Sequence, residues 1–262
     1  MLRTDALTLA YPGRLLARDL AVQLRGGEIW AVLGRNGSGK STFIHALAGL
    51  QAAQAGSVRL DEEPLGSISR RALAKRIGVM LQEENREFWG SARDYVLLGR
   101  YPHARSPFGW SVEDERIADE ELHGMHLDAL AASAYASLSG GERQRARCAE
   151  LFAQRPDVYL LDEPLQHMDL PHQTLLLDRL AAEARNRNAV VVMVLHDLLL
   201  AARYCNHFLL FFGDGRWRAG TAAEMLDAGQ LGELYGFPLT AVEAAGERLF
   251  LPARRPAQGP HV

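Results

Sequence analysis

Five short apolar runs punctuate this 262-residue chain, at residues 28–33 (EIWAVL), 58–60, 77–81, 158–161 and 190–195. The first ends in a glycine-rich turn, and residues 40–50 after it read as a helix with Gly49 near its C-terminal end. Strand-like and helix-like segments alternating in this way predict a parallel sheet with crossover helices. The runs at 158–161 and 190–195 are continuously apolar, as strands buried on both faces must be. From about residue 83 to 154 the pattern changes to Ala, Arg, Glu and Leu at helical spacing, broken by Pro102 and Pro107, which reads as a helical subdomain inserted between two core strands. Gly213, Asp214 and Gly215 signal a turn, and residues 222–235 a further helix. The proline-rich end, PARRPAQGPHV, is expected to be disordered. No internal repeat is found.

Composition narrows the partners. Hydrophobic residues make up 48% and charged residues 23%, enough for a sizeable core, and a net charge of -3 gives no electrostatic case for nucleic acid. Cys148 and Cys205 are far apart without metal-type spacing, which fits a reducing compartment. The start, MLRTDALTLAYPG, has no signal-peptide core, and the apolar run 189–195 is too short to span a bilayer. Any membrane role must therefore come from a partner chain. His123 and His126 stand at i, i+3 spacing, but no third ligand is near, so no structural zinc is expected.

The strongest chemical signal is Gly34-Arg35-Asn36-Gly37-Ser38-Gly39-Lys40-Ser41, a full match to the phosphate-binding loop pattern. Its glycines let backbone N–H groups curl around the phosphates, and the following helix N-terminus favours the anion. Lys40 supplies positive charge, Ser41 can coordinate Mg²⁺, and Thr42 extends the polar helix start. A bland glycine turn capping a helix is the alternative, but the apolar strand before it and the helix after it are the context the motif requires. The run 158–161 then delivers Asp162 and Glu163 at its tip, where open parallel sheets place their chemistry. Asp162 is placed to hold Mg²⁺, and Glu163 to polarise the attacking water as general base.

Between these two features residues 138–145 read LSGGERQR. With the phosphate loop before it and the acidic strand end after it, this order resembles the ATP-binding subunits of ABC transporters, over about residues 7–236. The resemblance implies an α/β fold: a P-loop NTPase parallel-sheet core, an antiparallel β subdomain and the inserted α-helical subdomain at about 83–154. Residues 1–236 would form the ATP-binding domain and 237–262 a C-terminal extension. It further implies ATP and Mg²⁺ as cofactors, with Gln82 meeting the metal and the water, His196 contacting the γ-phosphate, and Tyr11 stacking on adenine. Ser139, Gly140, Gly141 and Glu142 would contact the γ-phosphate held by a second copy, giving a head-to-tail homodimer with two ATP molecules at the interface. Asp169 would be the acid of the loop crossing that interface. Met168 stands where leucine is more usual, and Glu142 where glutamine is common.

Two further segments, LGRYPH at 98–103 and MDLPHQ at 168–173, resemble the import ATPases for ferric siderophores, haem and vitamin B12. The wording around FWGSARDYVLLGRYPH and SPFGW leans towards siderophore and cobalamin cargo. Phe88, Trp89, Tyr101 and Trp110 suit a docking groove for a short helix of an integral membrane permease. The chain would then sit peripherally on the cytoplasmic face of the plasma membrane, with a periplasmic or surface substrate-binding protein as an indirect partner. A soluble ABC ATPase of DNA repair or translation would carry a coiled coil or a second cassette, an export ATPase would lack these two segments, and a non-catalytic scaffold would not keep Lys40, Asp162, Glu163 and His196.

Overall fold

A computed structural model of the chain describes all residues except Pro12, 83–87, 105–108, Ala245 and 254–262. The tail expected to be disordered, beyond Ala253, and the helix-breaking Pro107 lie outside the described residues.

The chain begins in an antiparallel sheet. Strand β1 (Leu2–Tyr11) pairs with β2 (Arg14–Leu20) and with the short β3 (Gln23–Leu24). It then enters the core along β4 (Ile29–Gly34), turns through the phosphate loop and starts helix α1 (Lys40–Leu47). Strands β5 (Ala55–Leu60) and β6 (Glu63–Pro64) complete the antiparallel sheet, and α2 (Arg70–Arg76) leads back to core strand β7 (Ile77–Met80). The helical segment follows as α3 (Ala92–Leu97), α4 (Val112–Gly124) and α5 (Gly140–Gln154). Strand β8 (Val158–Asp162), helix α6 (Leu170–Arg187), strand β9 (Val190–Val194), helix α7 (Leu198–Tyr204) and strands β10 (His207–Phe211) and β11 (Trp217–Thr221) finish the core. Short helices α8 (Ala222–Met225) and α9 (Ala228–Tyr235) precede a hairpin of β12 (Leu239–Ala244) and β13 (Glu247–Pro252).

The core sheet runs β11-β10-β4-β9-β8-β7, parallel except for the edge pair β10–β11. Its central strands are buried along their whole length, and their residues alternate between two apolar layers. Ala31, Leu33, Leu161, Val191 and Met193 face the layer shared with α5 and α6. Val32, Leu160, Val192 and Val194 face the layer shared with α1 and the antiparallel sheet. Burial of each such side chain stabilises the fold by about 1.5–3 kcal/mol, which is why these runs carry no polar residue until the strand ends.

Two local expectations change. Residues 222–235 form two helices, because Asp227 caps the second by accepting from the Gln230 N–H at 3.0 Å. His126 lies beyond α4 in a left-handed conformation (φ 56°), so it shares no helix face with His123. The C-terminal extension is partly structured: the hairpin leans on α7 and α9, with Leu239 and Phe250 against the core. Among the described residues no helix is long and apolar enough to cross a membrane.

Candidate functional site

The registers of the parallel strands bring their C-terminal ends to one edge: Val32 lies beside Val194, Val194 beside Asp162, and Leu161 beside Met80. The residues just past these ends therefore converge. They line an open cleft of about 890 Å³ that gathers Tyr11, Asn36, Gly37, Gly39, Lys40, Ser41, Thr42, Gln82, Glu163 and His196.

Two glycines of the phosphate loop are conformationally required. Gly37 has φ 72° and Gly39 φ 114°, and a Cβ on Gly39 would come within 2.9 Å of Leu16 Cβ. Lys40 Nζ donates to the carbonyls of Gly34 and Arg35 at 2.9 and 3.1 Å, parked on the loop it serves. Burial pushes its ammonium below the ordinary lysine range, and the Glu163 and Asp162 carboxylates pull against that. Gly34 and Ser38, also in the loop, are buried and do not line the cleft, and Ser38 Oγ has no hydrogen-bond partner.

Asp162 ends β8 and is buried; desolvation pushes its carboxyl up, the Ser41 hydroxyl works against this, and Glu163 adds to it. Its Oδ1 is a buried acceptor without a hydrogen-bond partner. An unpaired carboxylate oxygen beside a serine hydroxyl is the donor set of a hard divalent cation, so these residues fit Mg²⁺. Glu163 turns out of the strand in a left-handed conformation (φ 53°). Its Oε1 meets His196 Nε2 at 2.8 Å, and the Gln166 amide donates to its other oxygen.

Ser139 caps α5, accepting from the Glu142 N–H at 3.3 Å, while the Glu142 carboxylate accepts from the Ser139 N–H at 2.7 Å. That backbone bond holds the Glu142 carboxyl below the usual range. Ser139 is therefore the N-cap of α5 within the single chain. Gly141 has a separate reason to be there, since a Cβ on it would come within 2.9 Å of the His167 carbonyl, whereas one on Gly140 would only make ordinary contact with His167 Cβ at 3.7 Å. Ser139, Gly141 and Glu142 line, with Asp169, a cleft of about 290 Å³ that shares no residue with the phosphate cleft. Asp169 caps α6 and bonds His172 Nδ1 at 2.5 Å.

Several residues here carry no sequence signal. Arg14 and Leu16, from the antiparallel sheet, line the phosphate cleft, and Arg14 also donates to the Gly213 carbonyl at 3.2 Å. Gln166 also lines that cleft and donates to Glu163. A smaller pocket of about 210 Å³ brings Gln144 and Arg147 of α5 beside Gln82, Asp162 and Glu163.

The LGRYPH segment divides. Arg100 is buried, pairs with Asp114 at 2.9 Å and donates to the Ala153 carbonyl at 2.8 Å, and His103 Nε2 lies 2.9 Å from the Gln154 carbonyl. Those two side chains bind the end of α5. Tyr101 is 72% exposed and Trp89 97%. Phe88 instead packs edge-on against Tyr95 and Tyr135, and Trp110 leans on the core.

The family model for ABC transporters matches residues 17–166. A hemin import ATP-binding protein of Rhodococcus jostii is 37% identical over 97% of this chain and 86% of its own length. The ferric enterobactin transport ATP-binding protein of Escherichia coli K12 is 34% identical over 98% of this chain and 95% of its own. A solved inward-facing structure, described as an ABC transporter of metal-chelate type, superposes with a TM-score of 0.83 at 28% identity, over 97% of this chain and 98% of that one. A dimeric ATP-binding cassette bound to ADP and Pi shares the fold (TM-score 0.76, 24% identity, 85% and 99% covered). With a phosphate loop, an acid pair and an LSGGE helix start carried on this fold, the chain belongs to the ABC transporter family and is one of its ATP-binding, ATP-hydrolysing subunits.

Proposed function

We propose that the chain powers import of an iron chelate, haem or a ferric siderophore, as a head-to-tail dimer docked on an integral membrane permease at the cytoplasmic face of the membrane. The observation that carries the dimer is the separation of the two clefts: Ser139, Gly141 and Asp169 line a cleft apart from Lys40 and Glu163 of the same chain. A second copy, turned to face the first, unites the two halves around each ATP.

In that arrangement residues 1–236 form the ATP-binding domain, with the helical subdomain at about 83–154, and 237–262 extend it. Tyr11 stacks on adenine. Gly34, Asn36, Gly37, Ser38, Gly39, Lys40 and Thr42 hold the phosphates, and Ser139, Gly140, Gly141, Glu142 and Asp169 close from the partner. Ser41, Gln82 and Asp162 would hold Mg²⁺, which would supply positive charge against that of the ATP phosphates. Glu163 takes the proton of the attacking water as the water oxygen bonds to the γ-phosphorus and ADP departs; His196 and Gln82 keep that water aligned. Trp89 and Tyr101, exposed on the helical segment, suit the permease contact. A substrate-binding protein outside the membrane delivers the cargo and never touches this chain.

Cargo is inferred from the relatives, named for hemin and enterobactin, rather than from this chain, which does not meet it. The test is ATP-dependent uptake into vesicles carrying the chain and its neighbouring permease, with haem, a ferric siderophore and cobalamin as separate arms and Glu163→Gln as the blank. Uptake of haem or siderophore, lost in the variant, supports the reading. Uptake of cobalamin alone, or of none of the three, contradicts it.

A further inference from the structure

Two residues of α5 join strand ends that the sequence keeps far apart. Gln144 and Arg147 stand three positions apart, on one helix face. Arg147 Nη1 donates to Gln144 Oε1 at 2.8 Å, and Arg147 Nη2 donates to the Leu81 carbonyl. Gln144 is buried, and its Nε2 donates to the Pro164 carbonyl at 2.8 Å. Leu81 immediately precedes Gln82, and Pro164 immediately follows Glu163.

The bonds depend on one another. With Oε1 occupied by the guanidinium, only the NH₂ end of the Gln144 amide can face Pro164, so Arg147 fixes the amide's orientation. The planar fork of arginine reaches two acceptors at once, which a lysine ammonium on a flexible stem does not hold in the same geometry. Both residues also line the small pocket behind Glu163.

We propose that Arg147 and Gln144 are positioning residues that tie the backbone at Gln82 to the backbone at Glu163, so that movement of the segment after β7 reaches the base through α5. This rests on the assignment of Glu163 as the base.

The full chain is assayed as Arg147→Lys, Gln144→Met and the double variant. Each single change is expected to lower kcat for ATP about tenfold with KM for ATP near the parent's, since misalignment rather than binding is lost; the melting temperature should stay near the parent's for Arg147→Lys and fall by a few degrees for Gln144→Met, which leaves the Pro164 carbonyl unpaired. The double variant is expected to fall no further than the worse single, because both cut one link. Unchanged kcat in both singles overturns the proposal, as do multiplying losses in the double variant, or losses of kcat that track equal losses of ATP affinity and melting temperature. Glu163→Gln is assayed beside them. Turnover by that variant removes the base assignment, whereas an inert Glu163→Gln with fully active Arg147→Lys and Gln144→Met removes the link alone.

Discussion

His196 Nε2 stands 2.8 Å from Glu163 Oε1, and Gln166 holds the other carboxylate oxygen. The two partners fix the direction of a side chain that is only 13% exposed, while the histidine forms the open wall at 47%. His196→Ala therefore frees the carboxylate to rotate. Turnover is expected to fall about a hundredfold with ATP binding retained, a loss within the range for a group that aligns proton transfer. Steady-state hydrolysis alongside nucleotide binding measures both.

Trp89 and Tyr101 contribute little to the isolated fold, because they touch mainly solvent. The double replacement Trp89→Ala, Tyr101→Ala is expected to leave stability within about 0.5 kcal/mol of the parent. Hydrolysis by the free chain should persist while uptake in vesicles is lost. A variant that transports normally would remove these aromatics from the permease contact.

Arg100 behaves in the opposite way. Its guanidinium and the Asp114 carboxylate are both buried, and it also satisfies the Ala153 carbonyl. Arg100→Leu strands a buried carboxylate, still bonded to Ser111, and a helix-end carbonyl. The expected cost is about 3 kcal/mol, read as a lowered denaturant midpoint.

Glu150 gives the pH dependence. Burial pushes its carboxyl up to about 7, and nearby Arg147 works against that. A raised carboxyl pKa favours the folded state in acid, and that advantage is lost as pH rises from the unfolded value of about 4.5 through about 7. The residue keeps part of its surface open, so the penalty above pH 7 is about 1–2 kcal/mol. Glu150→Gln should therefore raise the melting temperature by a few degrees at pH 8 and leave it unchanged near pH 4.5. Equal effects at both pH values would contradict this origin.

The core was legible because buried parallel strands must be apolar until their ends, where polar residues are chemistry: β4, β8 and β9 announce Gly34, Asp162 and His196. Of the antiparallel sheet, residues 58–60 in β5 showed as a run and the subdomain itself came from the family resemblance, while β1, which alternates mostly buried and half-buried positions, forms no apolar run. LGRYPH reads as one surface motif, yet Arg100 and Tyr101 face opposite environments, which only the packing of α5 decides. The link through Gln144 and Arg147 leaves no local trace, because its four residues span positions 81 to 164 and meet only when α5 crosses the strand ends.

The most direct test of the account is Glu163→Gln in the full chain, with ATP binding, hydrolysis and assembly state measured together. The amide keeps the shape of the site and removes its proton acceptor. Hydrolysis is expected to vanish while ATP still binds, and an ATP-loaded dimer should accumulate and dissociate only when nucleotide is withdrawn. Hydrolysis at the parent's rate, or a monomer at saturating ATP, would contradict a composite site with Glu163 as its base.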